Sequence, residues 1–492
     1  MPASTLPPPS ARGPAVRATL IALALLVPPC VWLARSFPSL IFEDDAYFYL
    51  QIAWNVATGH GSSFDGLHVT NGYHLLWSGL LVPLAWSCHV LGLGKLGLVA
   101  AATATAIVMA VLSVWSAFDD PYERMLGLTF FVLCGLTMES VVLTALLLVA
   151  VRALRRELRL TPLSFGVVCA LVPLARIDFS FVVPTLALLL GRAEGAASPR
   201  PRLALVAVLG TCAGLGIQLG LEQLLFGSWS SVSSAYKTDL ARARGGLALL
   251  TLNLGSTGNR LRLLALAVLA LLAARPARDR APGAARTALL ALGVIMAPVV
   301  VHLFLSELRD WYVMASLLLA LLLASRGGAP LRLRRATCAG LSLMLLGASA
   351  AYLVLMRHDM VRTARFIEEA RRVLSPTDRI YQVDGSGFTG FLLNATVVNG
   401  DGLVNSWDYR RRLRADALQG YLTELGATHV ITNEPTRDRT LVDHHGVRVE
   451  SGMATLVLDT GETRHPHARF RLYALGTPRE PASEGTAHAD ER

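Results

Sequence analysis

The chain has 492 residues, 53% of them hydrophobic and only 16% charged, and its mean hydropathy is +0.48. That balance excludes an ordinary soluble domain and predicts a polytopic membrane protein. The formal net charge of +10 does not point to nucleic acid, because much of the arginine lies in short runs between apolar segments, where it reads as a topology signal.

A helix needs about 20 apolar residues to cross a hydrocarbon core. The N-terminal stretch carries Pro7-Pro8-Pro9 and two arginines before an apolar run to Leu33, with no small-residue cleavage site before Phe37. It therefore reads as a first span and not as a signal peptide. Predicted spans follow at 18–36, 74–93, 97–117, 126–151, 162–175, 179–192, 203–226, 261–274, 287–305, 311–325 and 336–356, about eleven in all. Arg12 and Arg17, then Arg152, Arg155, Arg156 and Arg159, then Arg192, Arg200 and Arg202, then Arg275, Arg278, Arg280 and Arg286, then Arg326, Arg332, Arg334 and Arg335 all fall on one side under this count. By the positive-inside rule that side is cytoplasmic. The first loop, the 227–260 segment, the Glu307 to Tyr312 turn and everything after Met356 are then external.

The densest chemistry lies in the first loop. Glu43-Asp44-Asp45 follows the first span, with Tyr47, Phe48, Tyr49 and Trp54 at near-helical spacing beyond it. Such aromatics predict a short interfacial helix that holds the two aspartates at a fixed depth. Gly59-His60-Gly61, Asp65 and Asn71-Gly72-Tyr73-His74 complete the loop. Later come Glu139, a carboxylate inside an apolar stretch, and Arg176-Ile177-Asp178, a charged break between two short apolar segments. Charges at a helix break are tolerated where they line a cavity or pack against protein, so Arg176 reads equally as a cavity wall and as a structural ion pair. Arg309-Asp310-Trp311-Tyr312 opens the tenth span, either as a functional turn or as an aromatic belt with a snorkelling arginine.

From Arg357 the composition turns polar. An amphipathic helix at 361–373, strands at 379–383, 396–399 and 429–432, and a helix at 416–425 predict a small α/β domain of about one hundred residues. Within it, Gly385-Ser386-Gly387-Phe388-Thr389-Gly390 fits a dinucleotide fingerprint, but no complete βαβ unit with the usual acidic residue is legible, so it reads as a glycine-rich turn. Asn399-Gly400-Asp401-Gly402 is likewise a turn, not a calcium loop. The six cysteines lie in or beside apolar segments and imply neither disulfides nor a zinc site.

The run Asp44-Asp45-Ala46-Tyr47-Phe48-Tyr49, with Gly59-His60-Gly61 and Asn71-Gly72-Tyr73-His74, resembles the GT-C membrane glycosyltransferases, in particular the mannosyltransferase-like branch related to protein O-mannosyltransferases. The resemblance implies a mainly α, polytopic fold: a transmembrane domain over 1–356 with its catalytic loop at 37–73, an extracytoplasmic α/β domain over 357–477, and a disordered tail at 478–492. It also implies transfer of a sugar from a polyprenyl-phosphate donor to an envelope glycan, lipid or protein acceptor by inverting displacement, in a multi-pass cell-membrane protein with a cytoplasmic N-terminus. Asp44 or Asp45 would be the general base, the choice leaning to Asp44. His60, His74, Glu139, Arg176, Asp178, Arg309 and Tyr312 would bind substrate. No organic cofactor is implied, and a divalent cation on the paired aspartates stays open. A transporter or flippase of lipid-linked saccharides is the alternative, against which no paired internal repeat is visible. A scaffold binding wall polymer would leave the aspartates unexplained.

Overall fold

The computed structural model describes residues 12–37, 42–135, 138–193, 201–275, 284–414, 418–433, 440–442, 448–450, 454–461, 463 and 469–475. Among the described residues fifteen α-helices precede the first strand: α1 (Arg12–Ser36), α2 (Asp44–Ala57), α3 (Leu75–Val90), α4 (Gly94–Ala117), α5 (Pro121–Gly135), α6 (Ser140–Leu154), α7 (Pro162–Ala175), α8 (Val182–Ala193), α9 (Pro201–Phe226), α10 (Val232–Arg244), α11 (Gly246–Gly255), α12 (Thr257–Ala274), α13 (Ala284–Leu305), α14 (Asp310–Ser325) and α15 (Leu331–Val373). Among the described residues six of these, α1, α4, α9, α12, α13 and α15, are long and apolar enough to cross a membrane; α3, α6, α7, α8, α11 and α14 are shorter apolar helices. The chain is a multi-pass membrane protein.

Helix α14 is buried from Trp311 to Ser325, which makes it the centre of the bundle. Around it, close approach depends on small residues. Gly210 and Gly214 of α9 lie against Gly166 and Ala170 of α7, where an added Cβ on Gly214 would overlap the Ala170 carbonyl. In lipid, where no hydrophobic driving force brings one helix to another, such small-residue seams supply the contact.

The two ends of the bundle differ. At one, Arg326 pairs with Glu157 at 3.2 Å and Asp119 at 3.3 Å, Arg334 with Glu123 at 3.0 Å and Arg335 with Asp120 at 2.6 Å. These pairs gather the end of α4, the start of α5, the end of α6 and the α14–α15 connection. At the other end sits the sheet domain, reached by Lys95 Nζ at the start of α4, which donates to the Phe391 carbonyl at 2.9 Å.

Three sequence expectations are corrected here. The 126–151 span is two helices, α5 and α6, and Glu139 stands at the start of α6, where an arginine meets it, not inside a continuous apolar helix. A carboxylate at mid-span would have faced hydrocarbon, and ending the helix there avoids that cost. The 74–93 segment contributes α3, whose two ends lie at the same end of the bundle. His74 is 3.8 Å from Glu139, and the turn after α3 leads directly to Lys95 and the sheet domain. Lastly, α15 runs unbroken through the composition change at Arg357, with Asp359, Met360, Thr363, Phe366, Ile367 and Ala370 forming its buried face beyond that point.

The sheet has the order β2-β1-β3-β7-β6, from β1 (Arg379–Gln382), β2 (Thr396–Asn399), β3 (His429–Thr432), β6 (Ala454–Asp459) and β7 (Arg471–Leu475). The first three are parallel, and β7 and β6 continue antiparallel. A separate pair, β4 (Thr440–Val442) and β5 (Arg448–Glu450), lies apart. Between β1 and β2 runs α16 (Ser386–Leu392), so the glycine-rich segment does belong to a short βαβ unit, contrary to the sequence reading. Helices α17 (Trp407–Arg414) and α18 (Leu418–Leu425) follow β2. One face of the sheet has its own core of Tyr381, Val398, Tyr409 and Tyr421; the other, through Phe388, Phe391, Val397 and Phe470, is continuous with the core of the helical bundle. The tail at 478–492 lies outside the described residues.

Candidate functional site

The site is built on the first turn of α2. Glu43 precedes it in extended conformation and offers the helix no side-chain cap, and Asp44 and Asp45 occupy the first turn, where carboxylates complement the helix dipole. Successive residues on a helix point about 100° apart, so the two aspartates cannot share one environment. Asp44 turns to the sheet domain: its two oxygens accept the backbone N–H groups of Gly387 at 3.0 Å and Phe388 at 2.9 Å. Asp45, half-buried, accepts no hydrogen bond among the described residues and lines two cavities at once.

The first cavity, about 530 Å³, lies between α2, α7, α9, α10, α13 and the loops around Tyr73 and Val404. Its walls are partly apolar, with Ile177, Val301, Phe304 and Leu305 also reaching the outer surface. The second, about 850 Å³, opens between α2, α10, α14, α15 and the sheet domain and carries Glu43, Asp44, Arg244, Glu307, Arg309, Asp384 and Asp401. Asp45, Lys237, Trp311, Tyr312 and Leu403 line both. The junction of a partly apolar chamber and a charged one therefore presents a carboxylate, an ammonium and a phenol.

A fixed ion cluster stands behind that junction. Arg176 Nη1 donates to Glu139 Oε1 at 2.6 Å, while Nε and Nη2 form a fork onto Asp178 at 3.0 and 2.9 Å. His302 Nε2 meets Asp178 Oδ2 at 2.7 Å and its Nδ1 meets Ser306 Oγ at 2.8 Å. The His302 ring stacks on Tyr312 at 4.0 Å and the Arg176 guanidinium lies 4.4 Å from the same ring centre. Tyr312 is thus clamped on its face, and Lys237 Nζ donates to its hydroxyl at 2.9 Å. Removing one partner from such a buried cluster leaves an uncompensated charge and costs about 3–5 kcal/mol. Both sequence readings of Arg176 hold together: it lines the cavity and is an ion pair, so its charge is already neutralised.

Electrostatics distinguish the carboxylates outside the spans. Burial raises the Asp45 carboxyl above the ordinary range, and Lys237 and Arg309 pull it back. Desolvation by the protein around it, with Asp310 adding repulsion and Arg309 opposing, pushes Glu43 up to about 7, although its side chain is exposed where it opens onto the second cavity. Burial brings Asp401 to about 7 as well. Burial also raises Asp44, against the two N–H bonds. For Lys237 burial disfavours the charge, but Tyr312 and Asp45 outweigh it and the ammonium is held.

Of the residues singled out in the sequence, Asp45, His74, Glu139, Arg176, Asp178 and Tyr312 gather at the first cavity, and Asp44, Asp45, Arg309 and Tyr312 at the second. Arg309 is half-exposed and bonds Glu307 at 2.9 Å. His60 is not brought in: it is exposed and meets Thr58 Oγ1 at 3.0 Å, away from both cavities. Asn71 is a tie and not a ligand, since its Nδ2 donates to Glu222 and to the Ser230 carbonyl while its Oδ1 accepts the Val232 N–H at 2.9 Å. That tie lays α10 over the cavity. Lys237, Thr238, Ala241 and Arg242, one face of α10, line it.

Sequence reasoning missed Lys237 and His302. A signal for the first existed: Lys95 and Lys237 are the chain's two lysines, so an ammonium stands where almost every other cation is a guanidinium. Among the described residues no group of three or more His, Cys, Asp or Glu side chains is arranged to hold a metal ion. Neither a scan of protein-family models nor a search of curated proteins returns a match to this chain. The arrangement can hold an anion at Lys237 beside an apolar wall and accept a proton at Asp45 from a group entering through the other chamber.

Proposed function

We propose that the protein is a GT-C-type membrane glycosyltransferase that moves a sugar from a polyprenyl-phosphate donor to an envelope acceptor, with Asp45 as the general base. The observation that carries this reading is the position of Asp45 at the junction of the two cavities, both of which Lys237 also lines. The donor's isoprenoid lies along Ile177, Val301, Phe304 and Leu305, its phosphate at Lys237 and Arg242, and the acceptor enters through the second cavity. Asp45 takes the acceptor hydroxyl's proton as that oxygen attacks the anomeric carbon; the carbon–phosphate oxygen bond breaks and Lys237 receives the departing charge. The Glu139–Arg176–Asp178–His302 cluster holds Tyr312 between base and cation. The sequence reading leaned to Asp44; both Asp44 oxygens are taken by backbone donors, which favours Asp45.

In this reading the eleven spans are α1, α4 to α9, α12, α13, α14 and α15, with α2, α3, α10, α11 and the sheet domain on the extracytoplasmic face. The parity of the sequence count is kept: the loss of 74–93 as a span is balanced by the division of 126–151.

The test uses the purified full-length protein in lipid nanodiscs with synthetic polyprenyl-phosphoryl mannose, glucose and arabinose as donors and octyl glycosides as acceptors. One donor should be turned over, and Asp45→Asn should lower kcat by about 10²–10⁴-fold, the usual contribution of a general base. Full turnover in Asp45→Asn, or none with any donor in the native protein, overturns the reading. Passage of labelled lipid across a vesicle without sugar transfer would favour the transporter instead.

A further inference from the structure

The fingerprint-like glycines of the sheet domain already hold a carboxyl group, and it comes from the chain itself. Gly385, with φ of +72°, turns β1 into α16, and the first-turn amides of Gly387 and Phe388 donate to the Asp44 carboxyl oxygens. Gly387 must be a glycine for this approach, because a Cβ would overlap the Asp44 carbonyl oxygen; a Cβ on Gly390 would overlap the Phe64 ring. The contact is reinforced on both sides. Tyr47 and Phe391 rings lie 5.6 Å apart, Lys95 Nζ and Arg371 Nε donate to the carbonyls of Phe391 and Leu392 at 2.9 and 3.0 Å, and Phe48, Ile52, Phe64 and Val404 form a small core between loop and domain.

We infer that Asp44 is a positioning residue: its carboxylate latches the first turn of α2 to the N-terminal amides of α16, and through that latch the sheet domain fixes where Asp45 stands. Helix α2 has no side-chain cap of its own at Glu43, so the first turn depends on this link for its orientation. The domain is then part of the reaction site, not an appendage that captures polymer. The inference rests on the proposed function for the role of Asp45, but not for the latch.

Base and latch make opposite demands on a substituted side chain. An asparagine cannot act as a base, yet its amide oxygen keeps one of the two N–H bonds while its NH2 loses the other, whereas alanine keeps neither. If Asp44 is the latch, Asp44→Asn keeps kcat within tenfold of the native protein, Asp44→Ala loses about a hundredfold or more, and KM for the donor lipid moves less than threefold in both. Hydrogen exchange on the same nanodisc samples without substrate gives the readout independent of activity. In Asp44→Ala the amides of Gly387 and Phe388 and those of residues 48–52 in α2 should exchange at least tenfold faster. Gly387→Ala, which leaves the carboxylate in place and displaces α16, should reproduce the change in α2. Should Asp44→Ala fail to fold, Gly387→Ala decides alone. Native exchange in α2 in the variant that folds overturns the latch, and so does an Asp44→Asn as inactive as Asp45→Asn that keeps native exchange in α2. If Asp45→Asn keeps full turnover, the glycosyltransferase reading falls while the exchange data still decide whether Asp44 holds α2.

Discussion

Two neighbouring aspartates with the same chemistry acquire different work because a helix turns them apart. Asp44 is consumed by backbone amides 343 and 344 positions downstream, and Asp45 is left lining both cavities, as Lys237 does. A base must be ionised to accept a proton, and the folded-state pKa of Asp45 lies above the free aspartate value of about 3.9. Activity should therefore rise with pH through that elevated pKa, with its acid limb above pH ~4. Lys237 is the largest attraction holding the value down, so Lys237→Gln should move the limb to still higher pH. A kcat/KM profile checks both; a limb at or below the free value, or one that Lys237→Gln leaves in place, would remove Asp45 from the role of base.

At the level of elements, short helices are made stable by seams rather than by length. Helix α7 has 14 residues and is broken after Ala175, and its close approach to the 26-residue α9 uses the four-residue spacing of Gly210 and Gly214 against Gly166 and Ala170. Gly214→Leu should force α9 off the Ala170 carbonyl and, since Gln218 and Glu222 lie one and two turns further along the same helix, disturb the cavity wall they form. The expected result is a thermal midpoint lowered by several degrees in nanodiscs, with Gly220→Ala, where nothing stands within 4 Å of an added Cβ, unchanged. Equal midpoints for Gly214→Leu and the native protein would show that the seam contributes nothing.

For the molecule as a whole, the decisive matter is which segments cross. A membrane-impermeant maleimide separates the two counts. The sequence reading places the turn after 74–93 in the cytoplasm, whereas α3 begins beside Glu139 and ends beside the sheet domain, so in the proposed arrangement that turn shares a face with the first loop. Leu91 is 70% exposed in that turn, so Leu91→Cys in a background lacking the native cysteines should be labelled from outside intact cells. Labelling only after permeabilisation would restore the sequence count and turn α3 into a span.

By itself the sequence determined the class of molecule, the break at Arg176, the three strands near 379–383, 396–399 and 429–432 and the acidic first loop, because each is written in local composition or short-range periodicity. Glu139, Arg176 and Asp178 were legible as buried charge for the same reason: a charge in an apolar stretch is conspicuous wherever it falls. Other features were decided only by the tertiary structure: that α3 turns back, that 126–151 folds into two helices, that the glycine-rich turn of the sheet domain grips Asp44, and that Lys237 and His302 meet Tyr312. Each depends on contacts between segments distant in the chain, and a hydropathy pattern records how greasy a segment is, not what its polar atoms will find to bond.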